Sequence, residues 1–138
     1  MMRAPERVVL LGARGFIGSE LARQLNAQSI PTLTVSSQQL DLTAAQAAPA
    51  LARLLRPTDA VVMLAALTPD KGRDTATLVR NIAMMQSVCT ALSQAGCAHF
   101  VYFSSDAVYD SAISRVSEDT PAAPQDLYGV MHLARECM

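Results

Sequence analysis

Three glycines at a spacing of three residues, Gly12, Gly15 and Gly18, are suited to binding a diphosphate. A short apolar run precedes them at positions 7–11, and apolar residues at helical spacing follow. In a strand–turn–helix unit the first helical N–H groups lack partners and the helix dipole is positive there, so an anion is stabilised. Gly12 allows a tight turn, Gly15 lets a ligand approach the backbone, and Gly18 lets helix and strand pack closely. The pattern favours dinucleotide binding, although a glycine turn can also be purely structural.

The composition restricts the classes of protein to which the chain can belong. It has 138 residues, of which 51% are hydrophobic and 17% charged, and this predicts a single α/β domain over residues 1–138. A net charge of -1 and the lack of a basic cluster argue against a nucleic-acid partner. No apolar run approaches the roughly 18 residues that span a bilayer, and no signal peptide is recognisable. We therefore expect a cytoplasmic protein without a membrane partner.

The three cysteines do not form a metal or redox motif. Cys89, Cys97 and Cys137 are odd in number and lack the spacing of such sites. We expect reduced thiols in a cytoplasmic protein, and no metal site.

Alternating strands and helices position the glycine turn. Apolar runs at 7–11, 31–35, 60–64 and 99–103 predict four strands. Four helices are predicted: one after the glycine turn, one over 43–55, one over 74–95 before Gly96, and one from Leu127 onwards. In the second of these, Thr43 is the expected cap and Pro49 disturbs the first part. This alternation predicts a Rossmann-type doubly wound parallel sheet with the strand order second–first–third–fourth. A ligand then binds at the carboxyl ends of the strands, beside the first strand.

Six short segments in a fixed order cover nearly the whole chain: residues 12–18, Asp41-Leu42-Thr43, Leu64-Ala65-Ala66, Asn81, residues 104–109 and Tyr128-Gly129. The ordered set resembles the extended short-chain dehydrogenase/reductase family, the NAD-dependent epimerases, dehydratases and reductases of nucleotide sugars. The short path from Ser36 to Asp41 looks most similar to the dTDP-4-dehydrorhamnose reductase and GDP-fucose synthase branches. The resemblance implies an NAD(P) cofactor and a small-molecule substrate of the nucleotide-sugar class.

The resemblance also implies which residues bind the cofactor. Asp41 would face the adenine amino group and Leu42 would pack on the ring, whereas the alternative for Asp41 is a turn or capping residue. Asn81 would lie against the backbone near the cofactor, unless it faces solvent. The whole implied set is Gly12, Arg14, Gly15, Phe16, Ile17, Gly18, Ser36, Asp41, Leu42, Leu64, Ala65, Ala66, Asn81, Tyr128 and His132.

The choice between NAD and NADP depends on the end of the second strand. A carboxylate there would bind the ribose 2′-hydroxyl and repel a 2′-phosphate. Ser36 stands at that position, and the guanidinium of Arg14 in the glycine turn is suited to a phosphate. We therefore expect NADP(H), and the alternative is that Arg14 is a solvated surface residue.

The resemblance implies that Ser105 and Tyr128 carry the chemistry. In the family, a tyrosinate exchanges a proton with the substrate oxygen while hydride moves to or from nicotinamide, and a serine hydrogen-bonds the same oxygen. A phenol with a pKa of about 10 needs help near neutrality. The family supplies it with a lysine four residues later, on the same helix face. Here that residue is His132, which with a pKa of about 6.5 is mostly neutral at pH 7, although it could bind a ribose hydroxyl.

His132 leaves three interpretations open. The protein is an active enzyme variant, a slow one, or a catalytically inactive dinucleotide-binding or redox-sensing module. The sequence downstream of position 138 would discriminate the enzyme from the module, because an enzyme needs a substrate domain.

The chain stops at Met138, inside the helix that carries Tyr128. The resemblance places the substrate-binding domain after this helix, so we expect an N-terminal portion that is truncated before the substrate domain. The alternative is a small natural domain that forms a homodimer to cover its exposed sheet edge.

Overall fold

The computed structural model describes residues 4–138, which form one parallel sheet with helices on both faces. The strands are β1 (Arg7–Leu11), β2 (Thr32–Val35), β3 (Asp59–Met63) and β4 (His99–Tyr102). Their order across the sheet is β2-β1-β3-β4, and every neighbouring pair is parallel. The predicted Rossmann-type class and the predicted strand order are therefore confirmed.

Four helices cover the two faces of the sheet: α1 (Phe16–Ala27), α2 (Ala47–Leu54), α3 (Thr75–Ala95) and α4 (Leu127–Cys137). Successive strand residues point to opposite faces. On one face, Leu10 and Val62 pack against Leu21 and Leu25 of α1. On the other face, the buried residues of the strands pack against α2 and α3. A short 3₁₀ helix, Asp106–Val108, follows β4 and contacts α4.

The start of α2 differs from the prediction. Thr43 does not cap this helix: residues 42–46 form turns, and α2 begins at Ala47 with Gln46 as a cap that makes no side-chain hydrogen bond. Thr43 instead donates its backbone N–H and its hydroxyl to Asp41. Pro49 falls in the first turn, where a missing N–H removes no helical hydrogen bond. The predicted irregular first part is therefore non-helical.

Both ends of α3 are confirmed. Asp74 caps its N-terminus, where a side-chain oxygen accepts a hydrogen bond from the backbone of Thr77 at 2.9 Å. Gly96 ends the helix with a φ of +73°, a conformation that side chains disfavour. Capping at both ends fixes the limits of this long helix, which packs on one face of the sheet.

Within residues 4–138, no helix combines the length and hydropathy needed to cross a membrane. The same part of the chain brings no group of three or more histidine, cysteine, aspartate or glutamate side chains together in a way that could hold a metal ion.

Candidate functional site

A cleft of about 240 Å³ lies at the carboxyl edge of the sheet, where β1 is flanked by β2 and β3. The glycine turn and the segments that follow β2 and β3 form its walls. Nine of the residues predicted to bind the cofactor line it: Gly12, Arg14, Gly15, Ser36, Asp41, Leu42, Leu64, Ala65 and Ala66. Three segments that are distant in sequence thus meet at the strand edge where the sequence places the ligand.

Close packing requires glycine at two of the three positions in the glycine turn. Gly12 has a φ of +94°, and a Cβ there would lie 2.7 Å from the backbone nitrogen of Ala65. A Cβ on Gly18 would collide with the carbonyl oxygen of Gly12. A Cβ on Gly15, in contrast, would meet only that oxygen at 3.5 Å, which is an ordinary contact. Packing within the chain does not require glycine at position 15, so its open side leaves room for a ligand.

The N-terminus of α1 adjoins the cleft and has no capping side chain. Gly15 is the N-cap residue, and the first turn contains no acidic residue. The first helical N–H groups and the positive end of the helix dipole therefore remain suited to an anion. Phe16 and Ile17, also predicted to bind the cofactor, are 95% and 51% exposed and lie outside the cleft walls. Their contact with a cofactor stays a prediction.

Asp41 both closes a turn and lines the cleft. One of its oxygens accepts hydrogen bonds from the backbone N–H of Thr43 at 2.9 Å and from the Thr43 hydroxyl at 2.7 Å. These hydrogen bonds lower the pKa of Asp41, so it is ionised at neutral pH. The next residue, Leu42, is buried and also lines the cleft. The turn thus places a carboxylate and an apolar side chain side by side in the cleft wall.

No carboxylate follows β2 directly. Ser36 is buried in the cleft wall, and its backbone N–H donates to the side chain of Gln39 at 2.8 Å. Arg14 reaches the same cleft from the glycine turn and is exposed. Among the residues that line this cleft in the described chain, Asp41 is the single acidic one.

Asn81 holds the segment after β3 in place. It is buried, which excludes the solvent-facing alternative. Its side-chain oxygen accepts from the backbone N–H of Leu67 at 2.8 Å, and its amide nitrogen donates to the Leu67 carbonyl at 3.0 Å. Leu67 lines the cleft. Asn81 therefore supports the wall from behind through the backbone of Leu67, and its place beside a cofactor stays a prediction.

Tyr128 and Ser105 come together where α4 meets the 3₁₀ helix. Asp126 caps α4 by accepting a hydrogen bond from the backbone of Gly129 at 2.8 Å. A Cβ on Gly129 would collide with the backbone of the 3₁₀ helix, so glycine permits the close approach. Burial raises the pKa of Tyr128, and the neighbouring Ser105 hydroxyl opposes this rise, as does the positive charge of Arg135. The two predicted catalytic residues are neighbours, although neither lines the 240 Å³ cleft.

The structure does not bring His132 into the cleft wall. The residue is 3% exposed, and Nδ1 of its ring lies 2.5 Å from the hydroxyl of Tyr102 on β4. The ring also meets the Tyr128 ring edge to face, with 4.6 Å between centroids. Nε2 is buried and has no hydrogen-bond partner among the described residues. Burial, with a smaller contribution from Arg135, lowers the pKa of His132 to about 4, so the ring is neutral at pH 7.

Arg135 is the residue that the sequence interpretation missed. Arg135 is 2% exposed, and its guanidinium donates to the carbonyl oxygen of Asn81, at 2.7 and 2.9 Å, and to that of Ala65, at 2.8 Å. It therefore ties α4 to α3 and to the cleft wall. The available signal was helical spacing, because position 135 falls seven residues after Tyr128 on the same face of α4.

A model of the family described as NAD dependent epimerase/dehydratase matches residues 8–138. The chain is 33% identical over 139 aligned residues to a dTDP-4-dehydrorhamnose reductase of Mycobacterium tuberculosis. Among solved structures it resembles MoeE5 in complex with UDP-glucose and NAD, with 30% identity and a TM-score of 0.82. It also resembles the dTDP-4-dehydrorhamnose reductase of Bacillus anthracis in complex with NADP, with 26% identity and a TM-score of 0.81.

The matches cover nearly all of this chain but less than half of each relative. They include 95% of this chain and 44% of the M. tuberculosis protein. For MoeE5 the shares are 95% and 47%, and for the B. anthracis structure they are 98% and 49%. The chain thus spans about half the length of the relatives that it matches.

Proposed function

The chain belongs to the NAD dependent epimerase/dehydratase family, and we propose that it is the dinucleotide-binding part of an NAD(P)-dependent oxidoreductase, epimerase or dehydratase. Its substrate is of the nucleotide-sugar class. The observation that carries this proposal is the cleft at the carboxyl edge of the sheet, with the open side of Gly15 and the uncapped end of α1 beside it. The names of the relatives, which include two dTDP-4-dehydrorhamnose reductases, support the reaction class.

The residues of the cleft fit the parts of a dinucleotide. The diphosphate would bind to the backbone of Gly12 and Gly15 and to the N-terminus of α1, where unpartnered N–H groups favour an anion. The adenine would lie by Asp41 and Leu42, since a carboxylate accepts from an amino group and an apolar side chain packs on a ring. Ala65, whose side chain is small, leaves space for the ligand to lie across β3.

NADP(H) is the proposed cofactor form. The end of β2 carries Ser36, and no carboxylate there would repel a 2′-phosphate. Arg14 lines the same cleft from the glycine turn, and a guanidinium is suited to phosphate. The B. anthracis relative holds NADP, whereas MoeE5 holds NAD, so both forms occur among similar proteins.

Tyr128 and Ser105 are the proposed acid–base pair. The nicotinamide, when bound, supplies or accepts the hydride. In the reducing direction Tyr128 gives its phenolic proton to the substrate carbonyl oxygen as hydride reaches the carbon, and it takes a proton back in the oxidising direction. Ser105, which lies beside the phenol, donates a hydrogen bond to the same substrate oxygen.

A second candidate function is a dinucleotide-binding or redox-sensing module without turnover. The neutral state of His132 favours it, because a neutral imidazole does not help Tyr128 to ionise. The module and the enzyme share the cleft and differ only in the chemistry at Tyr128.

The test follows the oxidation of NADPH with a panel of nucleoside-diphosphate 4-keto sugars, using the longest natural chain that contains these residues. The enzyme is expected to turn over at least one of them. Tyr128→Phe and Ser105→Ala should each lower kcat by about a hundredfold or more, because each removes a group that acts on the substrate oxygen.

Ser93→Ala is the matched control, since Ser93 is exposed near the C-terminal end of α3 and donates to the Cys89 carbonyl. It should keep the parent kcat. A Tyr128→Phe protein with parental kcat would contradict the acid–base assignment. A parent that binds NADPH but oxidises it with no member of the panel would favour the binding module.

A further inference from the structure

Arg135 is a buried cation that has no carboxylate partner within residues 4–138. All the oxygens that accept from its guanidinium belong to neutral groups, namely the Ala65 carbonyl and the carbonyl and side-chain amide of Asn81. The fully buried carboxylate of Asp59 differs, because it is paired with Arg7 at 2.7 Å. A buried charge without a counter-ion is costly, and it stabilises any negative charge that forms near it.

Arg135 belongs to a column of side chains that leads to Tyr128. Its guanidinium carbon lies 5.9 Å from the centroid of the Tyr102 ring. The Tyr102 hydroxyl contacts the His132 ring, and that ring meets the Tyr128 ring at 4.6 Å. Three members of the column share one face of α4, at positions i, i+4 and i+7. The column contains one permanent charge, that of Arg135, because its histidine is neutral at pH 7.

We propose that Arg135 is the positioning residue that supplies the positive charge for ionisation of Tyr128, in place of a cation at position 132. Three hydrogen bonds to backbone carbonyls fix the guanidinium, so its charge stays at one place while the proton of Tyr128 moves. The inference rests on the proposed function, in which Tyr128 exchanges a proton with the substrate.

The other charges around Tyr128 make this cation important. Burial raises the pKa of Tyr128 most, and the carboxylates of Asp106 and Asp126 raise it further. Ser105 and Arg135 lower it, and Arg135 is the only one of the two that is charged. The titratable or charged groups that face Tyr128 from the surrounding elements are Asp74, Arg73, Asp106, Asp126, Tyr102, His132 and Arg135.

The test measures the pKa of Tyr128 from the ultraviolet absorbance of the phenolate during a pH titration. Subtracting the same titration of the Tyr128→Phe variant isolates its signal from the other tyrosines. Arg135→Gln keeps a hydrogen-bond donor but loses the charge, so the pKa of Tyr128 should rise by about one unit or more. Arg135→Lys keeps the charge and should retain most of the parental pKa.

Arg53→Gln is the matched control, because Arg53 is exposed near the end of α2. It changes the net charge equally and should leave the pKa of Tyr128 unchanged.

A second pair of variants leaves Arg135 in place. Met84 contacts the guanidinium through its sulfur at 3.6 Å. Met84→Glu would pair a carboxylate with the guanidinium and offset its charge, so it should raise the pKa of Tyr128, whereas Met84→Gln adds no charge and should not. This pair decides the matter if Arg135→Gln does not fold.

The inference is overturned if a folded Arg135→Gln protein keeps the parental pKa of Tyr128, or if Met84→Glu and Met84→Gln give the same value. A merely structural role of Arg135 would produce these results. Calorimetric titration of the same proteins with NADPH separates this outcome from failure of the proposed function. A parent that binds no dinucleotide contradicts the proposed function, whereas dinucleotide binding with an unmoved pKa contradicts the role of Arg135 alone.

Discussion

At the scale of single residues, burial decides the charge of His132. The residue is 3% exposed, its ring packs against Tyr102 and Tyr128, and its pKa falls to about 4. Because the unfolded chain exposes the ring to water, its pKa there returns to about 6.5. The difference between the two states links folding to pH.

Acid should therefore destabilise the protein through His132. Between pH 6.5 and about 4 the unfolded chain binds a proton that the folded protein does not bind. The stability that is linked to the depressed pKa of His132 is thus fully present above about pH 6.5 and is lost as the pH falls towards 4. It amounts to on the order of 3 kcal/mol. Urea unfolding of the parent and of His132→Gln over this pH range measures this contribution. The free energy of unfolding should depend less steeply on pH in the variant.

His99→Gln is the control for that experiment, since His99 is the other histidine and is exposed. Its free energy of unfolding should vary with pH as that of the parent does. Equal pH dependence in the parent and in His132→Gln would contradict the burial of a neutral ring.

The sequence predicts the positions of single residues better than their protonation states and their hydrogen-bond partners. The spacing of Tyr128 and His132 places both on one face of α4, and the structure agrees. The pKa of His132 is lowered mainly by burial, and β4, which carries Tyr102 thirty residues earlier, packs against the ring, so local spacing does not reveal it. Arg135 was missed for the same reason, because its acceptors come from α3 and from the segment after β3.

At the scale of elements, the contact between α4 and the 3₁₀ helix positions the proposed catalytic pair. Gly129 allows this contact, because a Cβ there would collide with the carbonyl oxygen of Ala107 and would lie 2.9 Å from the Cβ of Pro124. The cap provided by Asp126 fixes where α4 begins, and hence where Tyr128 projects.

Gly129→Ala should destabilise the protein, although alanine usually stabilises a helix interior by about 1 kcal/mol relative to glycine. The added methyl group meets backbone that has to shift, so we expect the free energy of unfolding to fall by about 1–3 kcal/mol. Gly15→Ala is the matched control, because its added methyl group makes only an ordinary contact at 3.5 Å. Alanine is a poorer N-cap than glycine, so the stability should still fall, but by less than about 1 kcal/mol. Equal stability of the two variants would show that α4 does not approach the 3₁₀ helix so closely.

Elements with strong local signals could be predicted from the sequence together with their ends, whereas the start of α2 could not. The ends of α3 follow from Asp74 and Gly96, which act within one turn of the helix. The predicted cap of α2, Thr43, instead bonds to Asp41, and this turn belongs to the cleft wall. A competing side-chain hydrogen bond thus delays the helix by several residues.

At the scale of the whole molecule, the alternation of strands and helices was sufficient to predict the topology. Parallel strands joined by helices allow few arrangements, and right-handed crossovers remove most of those. The observed order β2-β1-β3-β4 then brings the ends of β1, β2 and β3 to one edge. The resemblance to the family, rather than the topology, singled out the nine cleft residues, and the structure places each of them after the carboxyl end of one of these strands.

The central claim is that this cleft binds a dinucleotide, and calorimetric titration with NADPH and NADH tests it most directly. The parent should bind NADPH more tightly than NADH. Gly15→Asp should bind neither while remaining folded, because a carboxylate on the open side of the turn would repel the diphosphate. Gln86→Asp adds the same charge on the exposed side of α3 and should bind as the parent does. A parent that binds neither dinucleotide, or a Gly15→Asp protein that binds NADPH as tightly as the parent, would contradict the account.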